Sequence, residues 1–230
     1  MRHLEREIER LKRKVLAVGA LVEESLRLSL RAIEQRDREL AQQVIRGDAV
    51  IDENEVDVEE ECLKILALYQ PVAGDLRFVA AVIKINSELE RIGDLAVNIA
   101  ERALQLADGD PLPLPPDLPR MADRVAVILE KALDALVRRD AVTARLVLAA
   151  DDEIDDLYRE LLEELKGLIR SDLGRLDQIV VLFSVARYLE RLADHCVNVA
   201  EDVLYMVEGE IHRHRGAGNE GFAGTAADAG

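Results

Sequence analysis

Glu90-Arg-Ile-Gly-Asp94 and Glu190-Arg-Leu-Ala-Asp194 set two carboxylates one helical turn apart, twice in one chain and one hundred residues apart. Each is followed by the same trailer, Val97-Asn98-Ile99-Ala100-Glu101 and Val197-Asn198-Val199-Ala200-Glu201. Between Glu90–Glu101 and Glu190–Glu201, seven of twelve positions are identical. On a helix, ~100° per residue places Glu90, Asp94, Asn98 and Glu101 within an arc of roughly 80°, with Leu89, Ile92, Ala96 and Ile99 opposite. Asp48, Asp52, Glu55 and Glu59 make a second stripe. Like charges one turn apart repel by a few tenths of a kcal/mol per pair. Such stripes are favourable only when something positive sits on them.

The turn Gln70–Asp75 brings the stripes together. If the helices on either side form an antiparallel hairpin centred near residue 72, then Asp48, Asp52 and Glu55 face Glu90, Asp94 and Asn98. A second hairpin centred near residue 172 sets Asp151 and Asp155 opposite Glu190, Asp194 and Asn198. Converging carboxylates either raise their pKa values or bind cations. Oxygen donors with an amide carbonyl from Asn98 or Asn198 suit hard ions such as magnesium, calcium, manganese or ferric iron. A multi-carboxylate metal site on each hairpin is the expectation. Asp37, Asp48, Asp140 and Asp151, each directly after a helix end, also read as N-caps. Glu55, Glu59 and Asp156 also read as solvated surface acids, and Arg91 and Arg191 as ion-pair partners. His195 points ~100° away from Asp194 and has Leu95 as its counterpart, so it reads as an interfacial or surface histidine.

The elements that position these residues are helices. Leu4, Ile8, Leu11, Val15, Val18, Val22, Leu26, Leu30 and Ile33 recur at spacings of three and four, predicting one helix over about 4–35. A short helix is predicted from Asp37 to Gly47, a third from Asp48 to about Tyr69, and a fourth over about 76–106. After it comes "DGDPLPLPPDLP", residues 108–119, with five of the six prolines, read as an extended linker. The pattern then repeats, with helices over about 118–138, from Asp140, from Asp151 and over about 176–207. Asp37, Asp48 and Asp52 match Asp140, Asp151 and Asp155 at an offset of 103. The fold class is all-α, two tandem three-helix bundles of antiparallel up-down helices. Residues 1–107 form the first repeat, 108–119 the linker, 120–208 the second repeat, and 209–230, with six of thirteen glycines, a disordered tail.

Composition agrees: 49% apolar residues, 3% aromatics and no Trp in 230 residues. A net charge of −16 repels phosphate backbones and anionic lipid, so neither nucleic acid nor membrane insertion is expected. No signal peptide or apolar span is apparent, and the two cysteines, Cys62 and Cys196, form no disulfide framework. A cytoplasmic location is expected.

The duplicated E-x-x-x-D motif with its V-N-[IV]-A-E trailer, "GDAVID" at 47–52, "ADDEID" at 150–155 and "DLR" at 75–77 together resemble the PhoU family, over about residues 4–208. The resemblance implies multinuclear metal clusters, iron foremost with zinc, manganese or magnesium as alternatives, held by Asp48, Asp52, Glu90, Asp94, Asp151, Asp155, Glu190 and Asp194. It implies a non-enzymatic regulator that links the ATPase of a phosphate ABC transporter to a sensor histidine kinase and represses the phosphate-starvation response. One departure separates the repeats: the first continues its upstream stripe with Glu55 and Glu59, the second with Tyr158 and Leu162. A ferritin-like di-metal enzyme is disfavoured because the positions three after Glu90 and Glu190, where a ligand His would stand, are Gly93 and Ala193. A metal-free helical adaptor is the other alternative. Apolar helix faces and symmetry favour a homodimer.

Overall fold

The structure is a computed structural model in which residues 2–209 are described. Seven α-helices account for nearly all of them: α1 (Arg2–Gln35), α2 (Arg38–Tyr69), α3 (Ala73–Asp108), α4 (Asp117–Arg138), α5 (Ala141–Ala149), α6 (Asp151–Ser171) and α7 (Leu176–Glu208). There is no strand among the described residues. α1, α2 and α3 form one three-helix bundle. α4, the broken leg α5–α6, and α7 form the other. α1 turns into α2 through Arg36, held at φ 54°, and α2 into α3 through Gln70, at φ 44°.

α3 and α7 pack along one another between the two bundles. They run antiparallel, since Lys84 of α3 approaches Asp202 of α7 while Glu88 approaches His195. Leu89, Ile92, Ala96 and Ile99 on α3 and Leu189, Leu192, Cys196 and Val199 on α7 are all fully buried in the core. Burying each large aliphatic side chain stabilises the fold by about 1.5–3 kcal/mol. The four on α3 are the residues that periodicity set opposite the acids; their burial turns Glu90 and Asp94 outward, and the burial of the four on α7 does the same for Glu190 and Asp194. Cys62 and Cys196 are buried and free. Burial pushes the Cys62 thiol up to about 12 and the Cys196 thiol higher still, which leaves both unreactive.

Three local expectations are corrected. First, α2 runs unbroken through Gly47, which is exposed and has nothing within 4 Å of where a Cβ would stand. A glycine costs a helix about 1 kcal/mol, and burial of Ala41, Val44 and Ile51 on the same helix outweighs it. The break occurs only in the second bundle, at Ala150 between α5 and α6. Second, Asp48 therefore lies inside a helix and caps nothing. Asp151 is the first residue of α6, and its N-cap, Ala150, makes no side-chain bond. Asp37 and Asp140 do cap, accepting from Glu39 N and Leu40 N, and from Val142 N. Third, α4 begins at Asp117, inside the stretch read as linker, because Pro119 falls in the first turn, where its missing N–H has no role.

The proline-rich segment is fastened rather than loose. Arg36 donates to the carbonyl oxygens of Gly109 and Asp110, each at 3.0 Å, and also to that of Leu106. Gln178 donates to Asp110 O at 2.7 Å and Arg175 to Pro111 O at 3.2 Å. Of the expected tail, 209–230, only Gly209 is described; residues 210 onward, His212 and His214 among them, lie outside the described residues.

Candidate metal centre

In the first bundle the acids of α2 and α3 meet as the hairpin register predicts. Burial raises the Asp48 carboxyl, and the charges of Asp52 and, across the hairpin, Asp94 raise it further. Asp94 is raised by burial and by Asp52. Glu90 is raised by burial, by Asp94 on its own helix, and by Glu55 and Asp52 opposite. Glu55 is raised by burial, Glu59 and Asp52.

The second bundle repeats the arrangement. Burial, Asp155, Asp194 and Asp152 raise Asp151. Glu190 is raised by burial and Asp155, with Arg187 and Arg191 opposing. Asp194 is raised by burial and Glu190, with His195 and Arg191 opposing. Among the described residues none of Asp48, Asp52, Glu90, Asp94, Asp151, Asp155, Glu190 and Asp194 forms an ion pair. Their neighbours do: Asp57 pairs with Lys14, Glu61 with Lys64, Glu153 with Arg124 and Asp156 with Arg159. The repelling acids thus form no ion pair in either half, and the nearby charges of Arg91, Arg187, Arg191 and His195 do not offset the upward shifts.

One residue that sequence reasoning missed, Asn86, adjoins the first acid cluster. Asn86, 1% exposed, donates through Nδ2 to Glu55 O at 2.9 Å and to Glu55 Oε1 at 3.0 Å, tying α3 to α2. Its carbonyl oxygen is buried and accepts no hydrogen bond. In the second repeat this pair is replaced by Tyr158 and Ala186. The signal lay in that paired change between the repeats. The two motif asparagines differ. Asn98 Nδ2 donates to Asp94 O at 2.8 Å, whereas Asn198 Nδ2 reaches across to Glu88 Oε2 at 3.0 Å. Both bonds use the amide nitrogen, not the carbonyl oxygen that a hard cation would take. His195 lies at the seam between the bundles, as its wheel position suggested, with Nδ1 2.7 Å from Glu88 Oε2. Arg91 pairs with Glu88 at 3.3 Å.

The donor set fits a hard cation: opposed carboxylates, uncompensated charge and an orphaned amide oxygen. It is not a closed cage. Among the described residues no three Asp, Glu, His or Cys side chains are gathered tightly enough to hold a metal ion where they stand.

Known proteins share this architecture. Residues 15–103 and again 118–203 match the family model described as the PhoU domain. The phosphate-specific transport system accessory protein PhoU homolog of Aquifex aeolicus is 39% identical over 91% of this chain and 95% of its own length. The phosphate-specific transport system accessory protein PhoU of Escherichia coli is 33% identical over 91% of this chain and 87% of its own. The crystal structure of PhoU from Pseudomonas aeruginosa superposes with a TM-score of 0.87 at 36% identity, covering 90% of this chain and 99% of that one. With both bundles matched and the motif present in each, the chain belongs to the PhoU family.

Proposed function

We propose that this chain is a non-enzymatic regulator of phosphate homeostasis that restrains phosphate uptake and phosphate-starvation signalling by docking between a phosphate ABC transporter, through its ATPase subunit, and a sensor histidine kinase. Membership of a family named for phosphate transport supports the phosphate role. No helix among the described residues is long and apolar enough to cross a membrane, so the reading has it act from the cytoplasm on partners that do. Signalling would then be differential binding to the states of those partners.

Each hairpin is read as a multinuclear metal site, iron foremost. The ligands would be Asp48, Asp52, Glu55, Glu90, Asp94 and Asn98 in the first bundle, and Asp151, Asp155, Glu190, Asp194 and Asn198 in the second. A bound cation would neutralise the acids and fix the two helices of each hairpin against one another. The carrying observation is that opposed acids with raised pKa values stand without ion pairs in both halves. These side chains are half-buried or exposed, so this reading has them gather through rotamer changes. A second reading, a metal-free acidic docking surface, is favoured by the ungathered arrangement. Elemental analysis of freshly purified protein decides between them: metal in the wild type and loss of it in Glu90→Ala/Asp94→Ala supports the first, and metal-free wild type supports the second. The regulatory role is tested in a strain lacking its own family member. Restored repression of phosphate-starvation genes in phosphate-replete medium is expected, and continued derepression would refute it.

A further inference from the structure

On the solvent side of α2, beside the acid stripe, Ala49, Val56, Leu63 and Ala67 are all exposed, Val56 by 50% and Leu63 by 55%. Their spacing keeps them within about 40° of one another, in a row about 27 Å long. Single exposed apolar residues are ordinary. Four on one line, at spacings of seven, seven and four with only acids between them, call for a reason.

The duplicate supplies an internal comparison. The offset of 103 that superposes the acid stripes also superposes buried Ile51, Val58 and Cys62 on buried Ile154, Leu161 and Leu165. At that offset the row becomes Asp152, Arg159, Lys166 and Arg170, every one exposed. A helix in this place therefore folds with a fully charged outer side, and packing does not demand the apolar row on α2. Glu53 and Glu60 border the row on one side and Asp52 and Glu59 on the other, all exposed and, among the described residues, none in an ion pair. Further round the helix, Asp57 and Glu61 are already held by Lys14 and Lys64.

We propose that this side of α2 docks a helical segment of a partner protein whose apolar seam runs between lysines or arginines. The seven-residue spacing of Ala49, Val56 and Leu63 offers a helical seam one apolar contact every two turns, and the acids between and beside those contacts select a cationic partner while repelling anionic lipid and nucleic acid. The proposal does not depend on the metal sites, because Asp52 is the only bordering acid among the ligands named above, and the row, Glu53, Glu59 and Glu60 are not.

The probe is a synthetic 21-residue helical peptide with a leucine heptad seam flanked by lysines, titrated calorimetrically into the full chain after chelator treatment, with a glutamate-flanked peptide as control. Saturable binding of the lysine peptide alone is expected. Val56→Arg/Leu63→Lys, which installs the residue types of Arg159 and Lys166, is expected to weaken it at least about tenfold. Val56→Ser/Leu63→Ser, which leaves the charge unchanged, is expected to weaken it about fivefold or more. Should the charged variant melt early, the serine variant decides. Absence of saturable binding, equal binding of the glutamate peptide, or wild-type affinity in the serine variant would overturn the proposal. So would a wild-type dimer that the charged variant turns into a monomer by light scattering, since the row would then be a self-association face.

Discussion

Glu88 of α3 and His195 of α7 join the two bundles, with Glu88 Oε2 2.7 Å from His195 Nδ1 and 3.0 Å from Asn198 Nδ2. Burial pushes the Glu88 carboxyl up, but the bonds from His195 and Asn198 and the charges of His195 and Arg91 outweigh it and hold it below the usual range. The counterparts of Glu88 and His195 are Tyr188 and Leu95, so the duplication left this contact on one side of the seam only. Glu88→Ala removes the acceptor for two partly buried polar groups and is expected to lower unfolding free energy by about 1–3 kcal/mol. Urea unfolding measures it, and a double-mutant cycle with His195→Ala should return a coupling of about 0.5–3 kcal/mol. A carboxylate lowered in the folded state stabilises above its unfolded value and ceases to as pH falls through the folded one. The Glu88→Ala deficit should therefore shrink below the ordinary carboxylate range.

The acid stripes carry the opposite sign. Asp48, Glu90, Asp94, Asp151, Glu190 and Asp194 are all raised, so these sites bind more protons in the folded state than in the unfolded chain. Their contribution is fully present below the unfolded values and is lost as pH rises through the raised ones. Thermal melts of chelator-treated protein should show this decline above the ordinary carboxylate range. Asp48→Asn/Asp94→Asn should flatten it, and an unchanged slope would show that the two carboxyls do not interact.

At neutral pH the same repulsion predicts that Glu90→Gln/Asp94→Asn stabilises the chelated protein, by a few tenths to about 1 kcal/mol. Adding manganese or iron should raise the melting temperature of the wild type by mass action and leave this variant's first bundle unmoved. A shift of equal size in both proteins would place the bound cation elsewhere.

Gly93 sits where α3 meets α2, and a Cβ there would stand 3.4 Å from Ile51 Cδ1 and 3.5 Å from its Cγ2. Ala193 fills the corresponding place in the second bundle. Gly93→Ala should gain up to about 1 kcal/mol from helix propensity. Gly93→Leu, overfilling the contact, should lose about 1–3 kcal/mol. Chemical denaturation of the two variants tests how closely this hairpin is packed.

Caps separate two aspartates that look alike in sequence. Asp37→Ala is expected to cost about 1 kcal/mol through lost bonds to Glu39 N and Leu40 N. Asp48→Ala, inside α2, should incur no such loss and should relieve repulsion from Asp52 and Asp94. Comparing their denaturation midpoints distinguishes the roles.

The sequence by itself determined the helices, their duplication and the facing of Asp48 and Asp52 on Glu90 and Asp94. Helical period and turn position are local quantities, and two copies of a motif in register fix a hairpin twice. It misplaced the break at Gly47, because an unfavourable local propensity of about 1 kcal/mol yields to burial along a helix whose partners are distant in sequence. Only the tertiary structure decided which acids keep a cation and which do not, since Lys14 and Asp57, or Arg124 and Glu153, are joined by packing alone. It alone brought Glu88 to His195 and Asn86 to Glu55. Those contacts depend on how α3 lies against α7 and α2, and no periodicity within one helix encodes it.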